Sequence, residues 1–158
     1  MPEILSVIGH DIQVFILAMI PVIELRGAIP LGFAYGLPWQ AAFVFAVLGN
    51  ILPVPFIIWL SRPILKYLKR FKLFFAILDW IERRTMKNAD IVMKYSAFGL
   101  MILVAIPLPG TGAWTGALLA ALLNMRLKYA LPAIVFGVLI AGFLVSGLTY
   151  GFIGFLTS

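Results

Sequence analysis

Apolar residues run along this chain in blocks too long for one face of a soluble helix. Trp39 to Leu60 holds 22 residues without a charge, about 33 Å as a helix, which matches a hydrocarbon core of roughly 30 Å. Ala130 to Leu156 holds 27 more, about 40 Å, enough to cross a bilayer even when tilted. Two spanning helices are predicted, the first bent in its second half by Pro53 and Pro55.

Two other apolar stretches are interrupted. Ile12 to Ile23 supplies 12 residues before Glu24, about 18 Å of helix, little more than half a bilayer. Ala97 to Met125 is uncharged but broken by "IPLPGTGAWTG", where Pro107 and Pro109 remove backbone donors and Gly110 and Gly112 remove stiffness. Both read as half-helix, break, half-helix. Each break opens on Ile-Pro, at Ile20-Pro21 and Ile106-Pro107, about a dozen residues into its segment, and each precedes a long uncharged helix. The pattern predicts an all-α membrane domain over residues 1–158. It would hold two repeats, about 11–60 and 97–156, joined by a segment at about 62–95.

Charge gives this plan an orientation. Of the twelve Lys and Arg, nine lie from Arg62 to Lys94, including Lys69. The positive-inside rule puts this segment in the cytoplasm, in the cell membrane of a multi-pass protein. "ILKYLKRFKLFFAILDWIERR" mixes basic and apolar residues at helical spacing. It suits either a helix lying on an anionic membrane surface or a solvated helix with snorkelling lysines. If the broken segments are re-entrant hairpins, Arg126 and Lys128 also remain inside, and the repeats have opposite orientations, the inverted arrangement of many secondary transporters.

Composition narrows the function. The chain is 63% hydrophobic and 11% charged, with a mean hydropathy of +1.10, outside the soluble range. Residues 1–30 have no basic region ahead of the apolar stretch, so a cleavable signal peptide is not expected. There is no cysteine and one histidine, so no metal site is expected and no cofactor is called for. A phosphate-binding loop is absent from the sequence, which argues against ATP-driven transport. Neither an enzyme nor a nucleic-acid partner is expected, since the core offers one carboxylate and no nucleophile or metal set.

The remaining polar residues suggest a pathway. Glu24 and Arg26 point about 200° apart on a regular helix but can share a side in the unwound chain that Pro21 and Gly27 permit. An ionisable residue at membrane depth normally faces a cavity or partner. Burial favours a neutral carboxyl and a nearby guanidinium a charged one, so Glu24 can change protonation when Arg26 turns to another anion. The alternative is a pair that anchors a loop at the outer interface. In the second break, Thr111 and Thr115 add hydroxyls to opened backbone, which is tolerated at depth where it lines a cavity or is buried in protein; a packing kink is the plainer reading. Asn50 is either interhelical glue or a ligand. Gly142, Ser146, Gly147 and Gly151 permit close helix approach, within one subunit or at a dimer face. Trp39, Trp59 and Tyr150 read as interfacial anchors.

"IELRGAIPLG" and "IPLPGTGAWTG" resemble the small membrane proteins labelled small multidrug export proteins, over nearly the whole chain. Those proteins are similar to the DedA superfamily, thought to contain two re-entrant hairpins in an inverted repeat and to include lipid flippases and scramblases. The resemblance implies that Glu24, Pro30 and Gly32 fit the Glu-then-Pro-x-Gly pattern of the first DedA hairpin, and Pro109-Gly110 the Pro-Gly of the second. The arginines around the second DedA motif have no counterpart here, leaving Arg26 as the candidate core cation.

The expected function is a small proton-coupled secondary transporter or lipid flippase for an amphipathic or anionic substrate. A passive scramblase or channel, or multidrug efflux, are the alternatives. Its pathway would use Glu24, Arg26, Gly27, Pro30, Gly32, Asn50, Pro107, Pro109, Gly110, Thr111, Gly112 and Thr115. The expected partners are bilayer lipid, the substrate, protons and a second copy of the chain as homodimer.

Overall fold

The computed structural model describes residues 9–68, 70–108 and 110–157. Lys69 and Pro109 lie outside them. The described residues are helical, with no strand among them: α1 (His10–Met19), α2 (Glu24–Ala34), α3 (Trp39–Ile51), α4 (Val54–Leu68), α5 (Lys72–Met86), α6 (Ala89–Ala105), α7 (Ala113–Leu122), α8 (Leu127–Ser146), a π-helical turn at Gly147–Ile153, and α9 (Gly154–Thr157).

Two helical runs are long and apolar enough to cross a membrane, Trp39–Tyr67 with 29 residues and Leu127–Ile153 with 27. The first extends past the expected Leu60 end because Arg62 and Lys66 carry long aliphatic stems that continue a helix, with the Arg62 guanidinium hydrogen-bonded to backbone carbonyls and Lys66 exposed. Pro53 interrupts it only locally, between Ile51 and Val54. The basic segment is therefore not one surface helix: its start belongs to α4, and α5 begins at Lys72. Phe75–Met86 and Ala89–Ala105, bent by 62°, make a third candidate span if counted together. α6 begins at Ala89 rather than at Ala97, and bends sharply at Ser96, whose φ is 54° and ψ −129°.

The chain forms two compact units, residues 1–53 with 138–158, and residues 54–137. In the first, α1, α2 and α3 pack on one another. A Cβ on Gly32 would sit 2.8 Å from Ala42 Cβ and 3.3 Å from Val14, and one on Gly49 would sit 2.1 Å from the Phe15 carbonyl oxygen. Gly142 is as tight against Phe43 and Val47, while the Phe43 and Phe143 rings stand 4.6 Å apart. The π turn packs on α2: Tyr150 donates its hydroxyl proton to the Leu37 carbonyl at 2.9 Å, and its ring meets Phe33 edge-on. Tyr150 is thus committed to the α2–α3 turn rather than free as an anchor.

The second unit packs α7 against α4, α5 and α6. A Cβ on Gly137 would sit 2.8 Å from the Met101 carbonyl oxygen and 2.7 Å from Val104 Cβ, and one on Gly116 would meet Val104 and Ile134. Arg62 donates from Nη2 to the Met125 carbonyl at 2.7 Å and from Nε to the Ala121 carbonyl at 3.3 Å. The Ala121 carbonyl also accepts from the Asn124 N–H at 3.2 Å, and Met125 lies in the turn beyond α7, so the guanidinium ties α4 to that turn.

Both units follow one plan. Positive-φ residues start the second helix after each break, Glu24 (φ 49°) and Gly112 (φ 132°), and close each hairpin turn, Gly36 (φ 74°) and Asn124 (φ 54°). Gly49 and Gly137 each make a close approach to the backbone of another helix, while Gly99 makes one closer than that of Gly137 within its own helix, to the Ile91 carbonyl. The Tyr150–Leu37 bond of the first unit matches the Arg62–Met125 bond of the second. All these pairs stand 88 positions apart along the chain.

Candidate functional site

The first break is short. α1 ends where Ile20 turns extended, Ile20–Ile23 form the turn, and Glu24 opens α2. The unwinding therefore stops at Glu24, and Arg26 and Gly27 are helical, against the expectation that Gly27 would lie in opened chain. The physical reason is that Glu24 itself takes the left-handed turn, after which regular helix resumes. A non-glycine residue there costs about 1–2 kcal/mol, and such strain collects at ligand sites.

Glu24 is 4% exposed. Arg26 is part-buried and lies within electrostatic reach of the Glu24 carboxylate. Asn50 is 1% exposed, and its Oδ1 has no hydrogen-bond partner. The packing fixes their levels. Gly32 lies beside Ala42 and Val14, and Gly49 beside Phe15 and Ala18, so α1 and α3 run one way and α2 returns. Glu24 and Asn50 therefore both lie at the end of this three-helix unit away from the Tyr35–Pro38 turn, where α1 stops.

Pro30 and Gly32 sit inside α2, where Gly32 is a packing contact against α1 and α3. Pro107, Gly110, Thr111, Gly112 and Thr115 belong to the second unit, with Pro109 outside the described residues. The second break is seven residues from Ile106 to Gly112, three more than Ile20–Ile23. Its opened carbonyls are satisfied locally, as Thr111 Oγ1 donates to the Ile106 and Leu108 carbonyls, each at 2.8 Å, and Asn88 Nδ2 approaches the Gly110 carbonyl at 3.4 Å. Thr111 thus holds the break together. Thr111→Val should lower thermal stability by about 1 kcal/mol, while Thr111→Ser stays near wild type; melting curves in detergent check this.

Sequence reasoning passed over two buried polar residues of the first unit, Gln13 and Thr149, and took Ser146 only as a small residue for helix packing. Ser146 Oγ is also without a partner, directly before the π turn. Among the described residues, Asn50 Oδ1 and Ser146 Oγ are the two such buried atoms, and unsatisfied buried acceptors are rare in folded chains. The signal was present only as isolated polar letters in apolar runs. Gly147 and Gly151, by contrast, have nothing within 4 Å of a built Cβ. No group of three or more acidic or His side chains suited to a metal occurs among the described residues.

Position by position, the first unit is the polar one. Where it has Glu24, Arg26 and Ser146, the second has Gly112, Trp114 and Ile58 in the register set by the turns and the tight glycines, while the position matching Asn50, Val138, falls just past the second unit. The break itself is made with glycine in one case and with a buried carboxylate in the other.

No curated protein and no solved structure matches this chain. A sequence model of the family described as "Putative small multi-drug export protein" matches residues 24–144, from the strained glutamate of the first break through most of the last long helix, and the chain belongs to that family of small membrane export proteins.

Proposed function

We propose that the protein is a small proton-coupled secondary transporter or lipid flippase of DedA-like architecture. Glu24 carries the proton, Arg26 is its counter-ion and an anion ligand, and Asn50 accepts a hydrogen bond from substrate or water. The observation that carries this reading is Glu24: a buried carboxylate at a positive-φ position, which the second unit gives to Gly112. Glycine takes such a φ without strain, so the glutamate is kept for its side chain. The family's export label and the apolar helices support a membrane transport role. A substrate both amphipathic and anionic or lipid-like fits one core cation beside apolar walls.

The same reading makes each broken segment a re-entrant hairpin and the two repeats inverted, in a cell membrane with the basic segment cytoplasmic. The common plan of the two units supports it, as does the charge contrast between their turns: Pro38, Trp39 and Gln40 follow the first, and Arg126, Leu127 and Lys128 take the same places after the second. The open Gly147 and Gly151 face would join two copies.

Single cysteines in this cysteine-free chain test the topology. Lys87→Cys and Lys128→Cys should label from the cytoplasm and Gln40→Cys from outside. Labelling of position 128 from outside means that the broken segments span fully, and the inverted-hairpin reading fails. Reconstituted protein under an imposed pH gradient tests coupling. Movement of fluorescent lipid and amphipathic dyes that ignores the gradient identifies a passive scramblase or channel instead.

A further inference from the structure

We propose that the second unit binds an anionic phospholipid of the bilayer in a cleft between α4 and the start of α8. The cleft, about 100 Å³, is lined by Ile58, Trp59, Arg62 and Leu127. Its walls are apolar and open, with Trp59 73% exposed, and Arg62 stands at its edge. Two of the five guanidinium N–H groups are used on the Ala121 and Met125 carbonyls, which fixes the group in place and leaves the others for a ligand.

The cation is more than a turn clamp. In the first unit the corresponding carbonyl, that of Leu37, is held by the neutral hydroxyl of Tyr150, so the turn needs a donor and not a charge. The flanking positions repeat the contrast, with exposed Arg126 and Lys128 where the first unit has Pro38 and Gln40. Lys66 adds a further cation one turn along α4, and neither α4 nor residues 113–137 carry an acidic side chain.

The held Arg62 guanidinium at the edge of an apolar cleft, with exposed Arg126 and Lys128 on either side of Leu127 in the chain and Lys128 Nζ over the Tyr129 ring, is complementary to a phosphate joined to an acyl chain. Arg62, Arg126 and Lys128 meet the phosphate, while Ile58, Trp59 and Leu127 meet the glycerol and upper chain. A free phosphate would have no use for the apolar walls. The site lies wholly in the second unit, and its test reads binding rather than transport, so it stands or falls separately from Glu24.

Trp59 reports on the cleft directly. In proteoliposomes, brominated phosphatidylglycerol and brominated phosphatidylcholine are compared as quenchers at equal mole fraction, with the Trp59 signal taken as the difference between wild type and Trp59→Phe. Phosphatidylglycerol should quench more strongly, and high salt should shrink its preference. Arg126→Gln and Lys128→Gln, both on exposed side chains, should each reduce the preference up to about fivefold. Equal quenching by the two lipids in the wild type, or an unchanged preference in the double variant, overturns the proposal.

Discussion

If Glu24 carries the proton, Glu24→Gln and Glu24→Gly should both abolish pH-gradient-driven transport in proteoliposomes, to the level of empty vesicles, while the protein stays folded. Glutamine keeps the shape and hydrogen-bonding reach of the side chain but cannot take up or release a proton. Glycine goes further: it removes the Cβ that makes a φ of 49° costly, so this variant should melt no lower than wild type. The pair separates function from fold. A structural anchor would lose stability in Glu24→Gly and keep its flux in Glu24→Gln. Unchanged flux and pH dependence in Glu24→Gln would end the proton-carrier role.

Gly49→Ala should be among the most destabilising single methyl additions in the chain, by about 3 kcal/mol. The added carbon would lie 2.1 Å from the Phe15 carbonyl oxygen, and this neighbour is backbone, so α1 must move away from α3. Gly137→Ala repeats the insult in the second unit more mildly, at about 2 kcal/mol, because its contacts are 2.7 and 2.8 Å. Gly147→Ala serves as control: with nothing within 4 Å and alanine the better helix former, it should fall within about 1 kcal/mol of wild type, on the stabilising side. Thermal melts of purified protein in one detergent rank the three. A Gly49→Ala melt equal to wild type would show that α1 and α3 are not packed this closely.

The two long apolar helices and both breaks were legible in the sequence because their signals are local. Twenty uncharged residues need a bilayer, and Ile-Pro with nearby glycine ends a helix whatever lies around it. Residues whose role depends on a distant partner were not legible. Gly32 read as a pathway residue of the first hairpin, yet it is a contact point for Ala42 and Val14. Arg62 counted only as one of nine basic residues, although its place is set by two carbonyls about sixty positions away. Tyr150 read as an anchor for the same reason. Ser96 gave no sign of a sharp bend, since serine is unremarkable in a helix and the bend becomes visible only in its backbone angles. The common plan of the units hides because it fixes sizes and backbone angles rather than residue types: Gly36 and Asn124 share a left-handed turn without sharing chemistry.

The division of the chain also sets an order in time. Residues 54–137 are contiguous, so the second unit is complete as soon as Gly137 has left the ribosome, whereas the first needs residues 138–158 to close over its first 53. Synthesis runs from the N-terminus and local folding follows it. The unit that holds Glu24 and Asn50 is therefore completed after the second one. Until Tyr150 reaches the Leu37 carbonyl, the nascent chain carries its Glu24 carboxylate in an unfinished unit.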